Sequence, residues 1–367
     1  DATGSFVVFL YNPLVRERTE LVTLPISNTN VEVFDDTNSR VTSQLTPVML
    51  TNAMNAKSAQ HNINFLAKVP ALGFSTYFVQ PKPSKRVELM TTEQEIHSEY
   101  VSTAVPTNQP ITIGNEYISL TFGTDGYLAS ATDVQSGTTI DVHQDYSWYA
   151  SYLDPYGGQN SGAYIFRPNS TDTYPVGTSV KTEFVNGSVV QEVHQVFCDW
   201  ITQIVRVTQG IPYAEFVYTV GSIPTDGMIG KEVISRFTTN LATKGKLYTD
   251  SNGREVLERT RDYRPTWNYT VKEPIAGNYY PMNAFSSITD GTMTLTLLND
   301  RAQGVASIRD GEMEVMVHRR TFGDDARGVG EPIDETESIT PYPNPRRIGK
   351  GLVITGTHYL VFSKSAV

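Results

Sequence analysis

The residues best equipped for chemistry crowd into HRRTFGDDARGVGEP (318–332), directly after an alternating strand. Asp324 and Asp325 stand next to each other there, with Arg319 and Arg320 before them and Arg327 after. Paired carboxylates suit cleavage of a sugar linkage, where two acids act across one bond. Neighbours in an extended chain point opposite ways, however, so these two Asp cannot flank one glycosidic oxygen unaided. The other use is positioning: one Asp holds Arg327 or Arg319, and the loop offers Arg327 to a ligand. Gly328 and Gly330 would permit close backbone approach. An Arg-to-hydroxyl hydrogen bond in a closed site contributes about 1.5–3 kcal/mol. The same charges also fit a surface network of ion pairs that fastens a long loop.

Other chemistries have less to start from. The histidines are His61, His97, His143, His194, His318 and His358, and no HxH, HExxH or CxxC occurs. Zinc bound wholly within this chain is therefore not expected. No GxSxG, P-loop or GxGxxG is present, and no Ser or Cys nucleophile has a base nearby in sequence, although triads assemble in space. Three clusters mix Tyr with Arg or Asn and Pro without strand alternation: SGAYIFRPN (161–169), RDYRPTW (261–267) and AGNYYPMN (276–283). Such loops on a β scaffold are where ligands are met, or else they plug a core with their polar ends satisfied.

The elements that must position these residues have period two. ISLTFG sets Ile118, Leu120 and Phe122 on one face, and EFVYTV does the same with Phe216, Tyr218 and Val220. TMTLTL alternates Thr with Met293, Leu295 and Leu297, while GEMEVMV alternates Glu312 and Glu314 with Met313, Val315 and Val317. These read as half-buried antiparallel strands, punctuated by DG and NG turns. No convincing amphipathic helix is found. The reading is all-β, with a small β-sandwich at 1–85, a polar linker at 86–109 and a large β domain at 110–367.

Composition narrows the partners. A net charge of -10 repels phosphate backbones, so nucleic acid is not expected. No run of 18 apolar residues exists to span a membrane as a helix. Twenty Tyr and 15 Phe suit neutral partners such as sugars. Cys198 sits among apolar residues in QVFCDWITQIV and reads as a buried inert thiol, or as a bridge to another chain. Sequons at Asn169, Asn186 and Asn268 favour the secretory pathway. The chain begins at Asp1 rather than Met, which suggests a removed signal or a larger missing part.

Taken in order, ALGFSTY (71–77), SGAYIFRPN, GKEVISRF (230–237), YTDSNGRE (248–255), RDYRPTW, AGNYYPMN and MVHRR…DDARGVGEP closely resemble the C-terminal half of the glycoside hydrolase family 38 α-mannosidases. The acidic lysosomal and plant vacuolar type is the nearest in look, ahead of a neutral or Golgi type. The resemblance implies a galactose-mutarotase-like β-supersandwich for the large domain. It implies a retaining, zinc-dependent exo-α-mannosidase acting on terminal α-mannose of N-glycans, located in a vacuole or lysosome or secreted. Zinc ligands, Asp nucleophile and general acid would lie on a larger N-terminal catalytic subunit of the same precursor, since nothing in this chain matches that portion. This chain would be the smaller subunit of a higher oligomer, with further sequence beyond its end. The family's pocket tyrosine and arginine fall on Tyr164 and Arg327, with Asp324 or Asp325 fixing the arginine and Arg319 in support. RDYRPTW and AGNYYPMN are assigned to packing and interface. The competing class is a non-catalytic carbohydrate-binding or structural β module.

Overall fold

Successive side chains in a strand face opposite sides, so alternating sequence becomes a sheet with one buried face. The computed structural model describes residues 4–49, 59–82, 105–106, 109–154, 156–328, 330, 332–339 and 347–365. Among these there is no α-helix, only short 3₁₀ turns at Asp226–Met228 and Ala276–Asn278. The protein is all-β. Two compact units emerge: Asp1–Pro106 with Glu183–His194, and Thr107–Thr182 with Gln195–Val367. Of the linker expected at 86–109, residues 86–104, 107 and 108 lie outside the described residues.

In the first unit one sheet runs Phe6–Asn12, Gly73–Pro81, Val31–Phe34 and Arg40–Val41, and the other Arg18–Ile26, His61–Val69 and Ser43–Pro47. Ile26, Leu45, Ile63 and Phe65 from one sheet pack with Val31, Val33, Tyr77 and Val79 from the other. The buried amide of Gln44 ties in the separate segment: its Oε1 accepts from the N–H of Val189 and Val190, at 3.0 and 2.9 Å.

In the second unit one sheet has the order Tyr280–Met282, Gln303–Ala306, Glu312–Arg320, Lys231–Thr239, Thr138–Ala150, Leu128–Asp133, Ile118–Phe122 and Ile111–Gly114. The other includes, in order, Glu255–Thr260, Lys246–Ser251, Phe285–Thr289, Met293–Asn299, Ile354–Lys364, Ala214–Val220 and Ile201–Thr208. Apolar faces meet between them, as where Phe216 and Phe237 stand edge to face at 5.4 Å. A chain of polar groups also crosses this interior. The Tyr146 hydroxyl donates to Gln203 Oε1 at 2.5 Å, and Gln203 Nε2 donates to Gln144 Oε1 at 2.9 Å and Gln195 Oε1 at 2.8 Å. Buried amides remain tolerable because each finds a partner.

One strand departs from the expected pattern. Glu312 and Glu314 do not face water: Glu312, Met313, Glu314 and Val315 are all buried, so both faces of this strand are covered. Glu314 is tolerated because Arg236 donates to its Oε2 twice, at 2.8 and 3.0 Å, and two tyrosine hydroxyls donate to its Oε1. Cys198 is free and half-buried, packed at the margin of the Tyr146–Tyr218 core, where burial pushes its thiol pKa up.

Burial also governs His358, on the Ile354–Lys364 strand. Its Nε2 pairs with Gln303 Oε1 at 2.9 Å, and burial drives its pKa down to about 4. The unfolded chain takes up a proton here below about 6.5, whereas the fold does not until about 4. Stability should therefore fall as pH drops between those values, by roughly 3 kcal/mol at most. His358→Gln should flatten that slope in denaturation curves recorded at neutral pH and near pH 4.5. An unchanged slope would place the acid sensitivity elsewhere.

Candidate functional site

Two loops leave the first sheet of the second unit at the same place. Ala150 and Arg320 sit at the ends of the strands flanking Lys231–Thr239, and both pair with Lys231, one from each side. The segment 151–168 follows the first strand and 321–328 the second. Although about 160 residues separate them in sequence, they are neighbours in space.

A single carboxylate joins them. Asp325 Oδ2 accepts from the backbone N–H of Tyr164 at 2.6 Å and of Ile165 at 2.8 Å, and its Oδ1 accepts from Arg327 N–H at 3.2 Å. Asn160 Nδ2 donates to Asp324 O at 3.0 Å, and Gln159 Nε2 to Asp325 O at 2.6 Å. Contact is close enough to require glycine. A Cβ on Gly162 would stand 2.8 Å from the Asp325 backbone nitrogen, and one on Gly323 would stand 3.1 Å from Asn160 Cβ. Burial opposes ionisation of Asp325, but three backbone donors and the nearby Arg319 outweigh it, holding the carboxyl below the usual carboxylate range.

The 161–165 turn also rests on charge below it. Glu232 is fully buried, and its Oε1 accepts from Ser161 Oγ at 2.5 Å and Ser151 Oγ at 3.0 Å. Arg319 forms a two-pronged pair with Glu232, and its Nη2 reaches Ile165 O at 3.1 Å. Glu232 stands directly opposite Arg319 in the strand register, and Arg236 opposite Glu314, so two ion pairs of reversed polarity bracket the pair of strands.

These positions revise the assigned supporting roles. Arg319 is held by Glu232 rather than by Asp324 or Asp325. Asp325 grips the backbone of Arg327, not its guanidinium, and its two other bonds go to the tyrosine loop; a carboxylate so occupied is an acceptor for loop N–H groups. Asp324 caps its own turn, its Oδ1 accepting from Ala326 N–H at 3.0 Å. Gly328 and Gly330 take φ values of 125° and 76° with open space where a Cβ would stand. Tyr164 and Arg327 are both exposed, their backbone N–H groups bound to the two oxygens of one carboxyl group. Glu232 escaped sequence reasoning because GKEVISRF gives no alternation that marks its glutamate as buried. A groove of about 530 Å³ opens beside Tyr164, walled partly by Tyr279 and Tyr280 of AGNYYPMN. In RDYRPTW, Arg264 stacks on Tyr269 and Tyr280 while Trp267 and Tyr263 are exposed. Asn169, Asn186 and Asn268 are all exposed.

Residues 113–327, which include Tyr164, Asp325 and Arg327, match the family described as glycosyl hydrolases family 38 C-terminal domain. The chain belongs to glycosyl hydrolase family 38. Residues 41–79 match the lysosomal alpha-mannosidase-like central domain. Human lysosomal alpha-mannosidase is 45% identical over 335 residues, which cover 91% of this chain and 32% of that protein. The bovine protein of the same name is 41% identical over 361 residues, covering 98% and 33%. An alpha-mannosidase of Canavalia ensiformis is 37% identical over 380 residues, covering 99% and 37%. The chain thus spans about a third of the length of these relatives. In fold it is similar to an alpha-mannosidase from Enterococcus faecalis V583, with a TM-score of 0.52 over 99% of this chain and 44% of that one, at 14% identity.

If Asp325 fastens the two loops of this family 38 chain, Asp325→Asn should loosen both. An amide cannot serve as acceptor on both of its ends, so at least one N–H loses its partner, at a cost of about 1–3 kcal/mol. Amide hydrogen exchange should rise across 159–168 and leave the Ile111–Gly114 edge unchanged. Since the Asp325 pKa is lowered, its contribution is present above the usual carboxylate range and is lost only as pH falls below about 3.9. Exchange in the native chain should accordingly stay slow at pH 5.

Proposed function

We propose that this chain is the smaller, β-rich part of a retaining, zinc-dependent exo-α-mannosidase, and that it completes a mannose pocket whose catalytic groups lie on a larger part of the same precursor. One observation carries the reading. Tyr164 and Arg327 are fixed through their backbones to one buried carboxylate, yet both residues are exposed. A fixed backbone beneath two exposed polar residues suits a site completed by something outside.

What these side chains can do follows from their chemistry. A guanidinium keeps its proton at any working pH, so Arg327 donates hydrogen bonds and does not transfer protons. The Tyr164 phenol can both donate and accept toward a sugar hydroxyl, and its ring offers an apolar face. Both therefore orient a neutral sugar. In a retaining reaction one carboxylate attacks the anomeric carbon, a carboxylic acid protonates the departing oxygen, and water then releases the sugar with its configuration kept. Asp324 and Asp325 do not fill those two roles, since Asp325 is committed to loop N–H groups and Asp324 to its turn.

Among the described residues no group of His, Cys, Asp or Glu could hold a metal ion, so these residues do not fit a zinc. We assign the zinc, the nucleophile and the acid to the larger catalytic part. The exposed sequons and the relatives named lysosomal alpha-mannosidase support a glycosylated protein of a lysosome, a vacuole or the extracellular space.

Native undissociated material should hydrolyse an aryl α-mannoside at acidic pH, with activity co-eluting with a larger second polypeptide. Within that enzyme, Arg327→Ala or Tyr164→Ala should lower kcat/KM by about 10- to 150-fold, the equivalent of about 1.5–3 kcal/mol, while zinc content stays constant. Unchanged kinetics in both variants would sink the reading. An inactive chain that binds sugar and has no larger companion would instead make it a binding module.

A further inference from the structure

We infer that the groove beside Tyr164 is a second sugar subsite, which takes the neutral glycan residues following the terminal mannose. This rests on the reading of Tyr164 as a mannose contact and extends it along the substrate.

The groove is lined by Tyr164 together with Phe166, Tyr279, Tyr280, Asn283 and Gln303, and has a volume of about 530 Å³. That lies within the range of about 300–1,000 Å³ typical of small-ligand sites. Among the described residues its lining holds no Asp, Glu, Lys or Arg. In a chain of net charge -10 this is a neutral corridor, which a polyol can enter without leaving a charge unpaired. Rings with a few amides are the chemistry that binds sugars, whose C–H faces lie on aromatics while their hydroxyls seek hydrogen bonds.

The walls are set before any ligand arrives. The Tyr279 hydroxyl donates to Glu314 Oε1 at 2.7 Å, and Phe166 meets the Tyr279 ring edge to face at 5.0 Å. Arg259 and Arg264 lie over the Tyr280 ring at 4.6 and 5.3 Å from its centroid. Gln303 is committed inward, its Nε2 donating to Met316 O at 2.8 Å and its Oε1 facing His358. Asn283 differs. Its N–H goes to Asp250 at 2.9 Å and its Nδ2 to Asn252 at 2.6 Å, leaving its Oδ1 without a donor among the described residues. A sugar hydroxyl would supply one. Rings already immobilised lose little freedom on binding, which favours affinity. A protein segment seated here would cover Tyr164 as well, which the mannose pocket needs free.

The test compares two substrates on the whole enzyme, catalytic part included: an aryl α-mannoside, which fills one sugar position, and a short α-linked oligomannoside. Ala302 lines the groove and is exposed, so Ala302→Trp obstructs the corridor without entering the core. It should lower kcat/KM for the oligomannoside at least about tenfold more than for the aryl mannoside. Asn283→Ala should raise KM for the oligomannoside alone. Equal effects on the two substrates, or none, would overturn the inference. Loss of co-elution with the larger polypeptide in Ala302→Trp would do so too, by making the groove a protein interface. Tyr164→Ala separates the two levels: if it slows both substrates while Ala302→Trp discriminates neither, only the subsite fails. If Tyr164→Ala changes nothing, the underlying mannose reading fails first.

Discussion

A buried, ionised carboxylate taking three backbone N–H groups is the interaction on which the exposed face of the second unit depends. Removing a carboxylate from water is costly unless its lone pairs are filled, and Asp325 fills them with donors from two loops. The same bonds that make its burial tolerable make the loops one body. Gly162 shows how tight that union is, since any side chain there would meet the Asp325 backbone. The positions of Tyr164 and Arg327 are consequences of this contact rather than of their own side chains, which are exposed.

Much of the scaffold could be read from the sequence, and the reason is solvent. Strands such as Ile118–Phe122, Ala214–Val220 and Met293–Asn299 bury alternate residues while their neighbours are only partly covered, so hydropathy records their geometry. The first half of Glu312–Arg320 is covered on both faces, and there alternation misled: two glutamates looked like a water-facing row. Whether a carboxylate in a strand meets water or a buried arginine depends on the neighbouring strand, which period two cannot name. The site was less legible still. Charge and glycine marked Arg327 as one option among several, and resemblance singled out Tyr164 beside it; nothing in the spacing of SGAY and DDARG reveals that residues some 160 positions apart share a carboxylate.

Beneath the loops, Glu232 and Glu314 do related work on adjoining strands. Glu232 holds Ser161 and, through Arg319, the carbonyl of Ile165, which are parts of the tyrosine loop. Glu314 holds Tyr149 and Tyr279, at 2.8 and 2.7 Å, and Tyr279 walls the groove. Loop and groove are therefore supported by two ion pairs in the same pair of strands. Such pairs are weak sources of net stability, because desolvation offsets most of the attraction. They are strong sources of registry, since a slip would leave two buried carboxylates without their arginines.

That registry in turn depends on one irregularity. Pairing runs in step from Thr238 opposite Glu312 to Ile234 opposite Met316, then shifts so that Val233 faces His318. Continued without the shift, the ladder would set His318 opposite Glu232 and Arg319 opposite Lys231. Arg319 would then lie beside another cation on the opposite face, and the buried glutamate would face an imidazole in place of its guanidinium. One extra residue, Val317, corrects this by changing the parity of the strand beyond it. Arg236 and Glu232 are four residues apart on one strand and share a face, whereas Glu314 and Arg319 are five apart and in a regular strand would not. The bulge brings them to the same side, and both ion pairs form. A single inserted residue in a sheet strand thus settles where Arg319 goes, hence how the tyrosine loop is propped, hence where the exposed ring of Tyr164 stands.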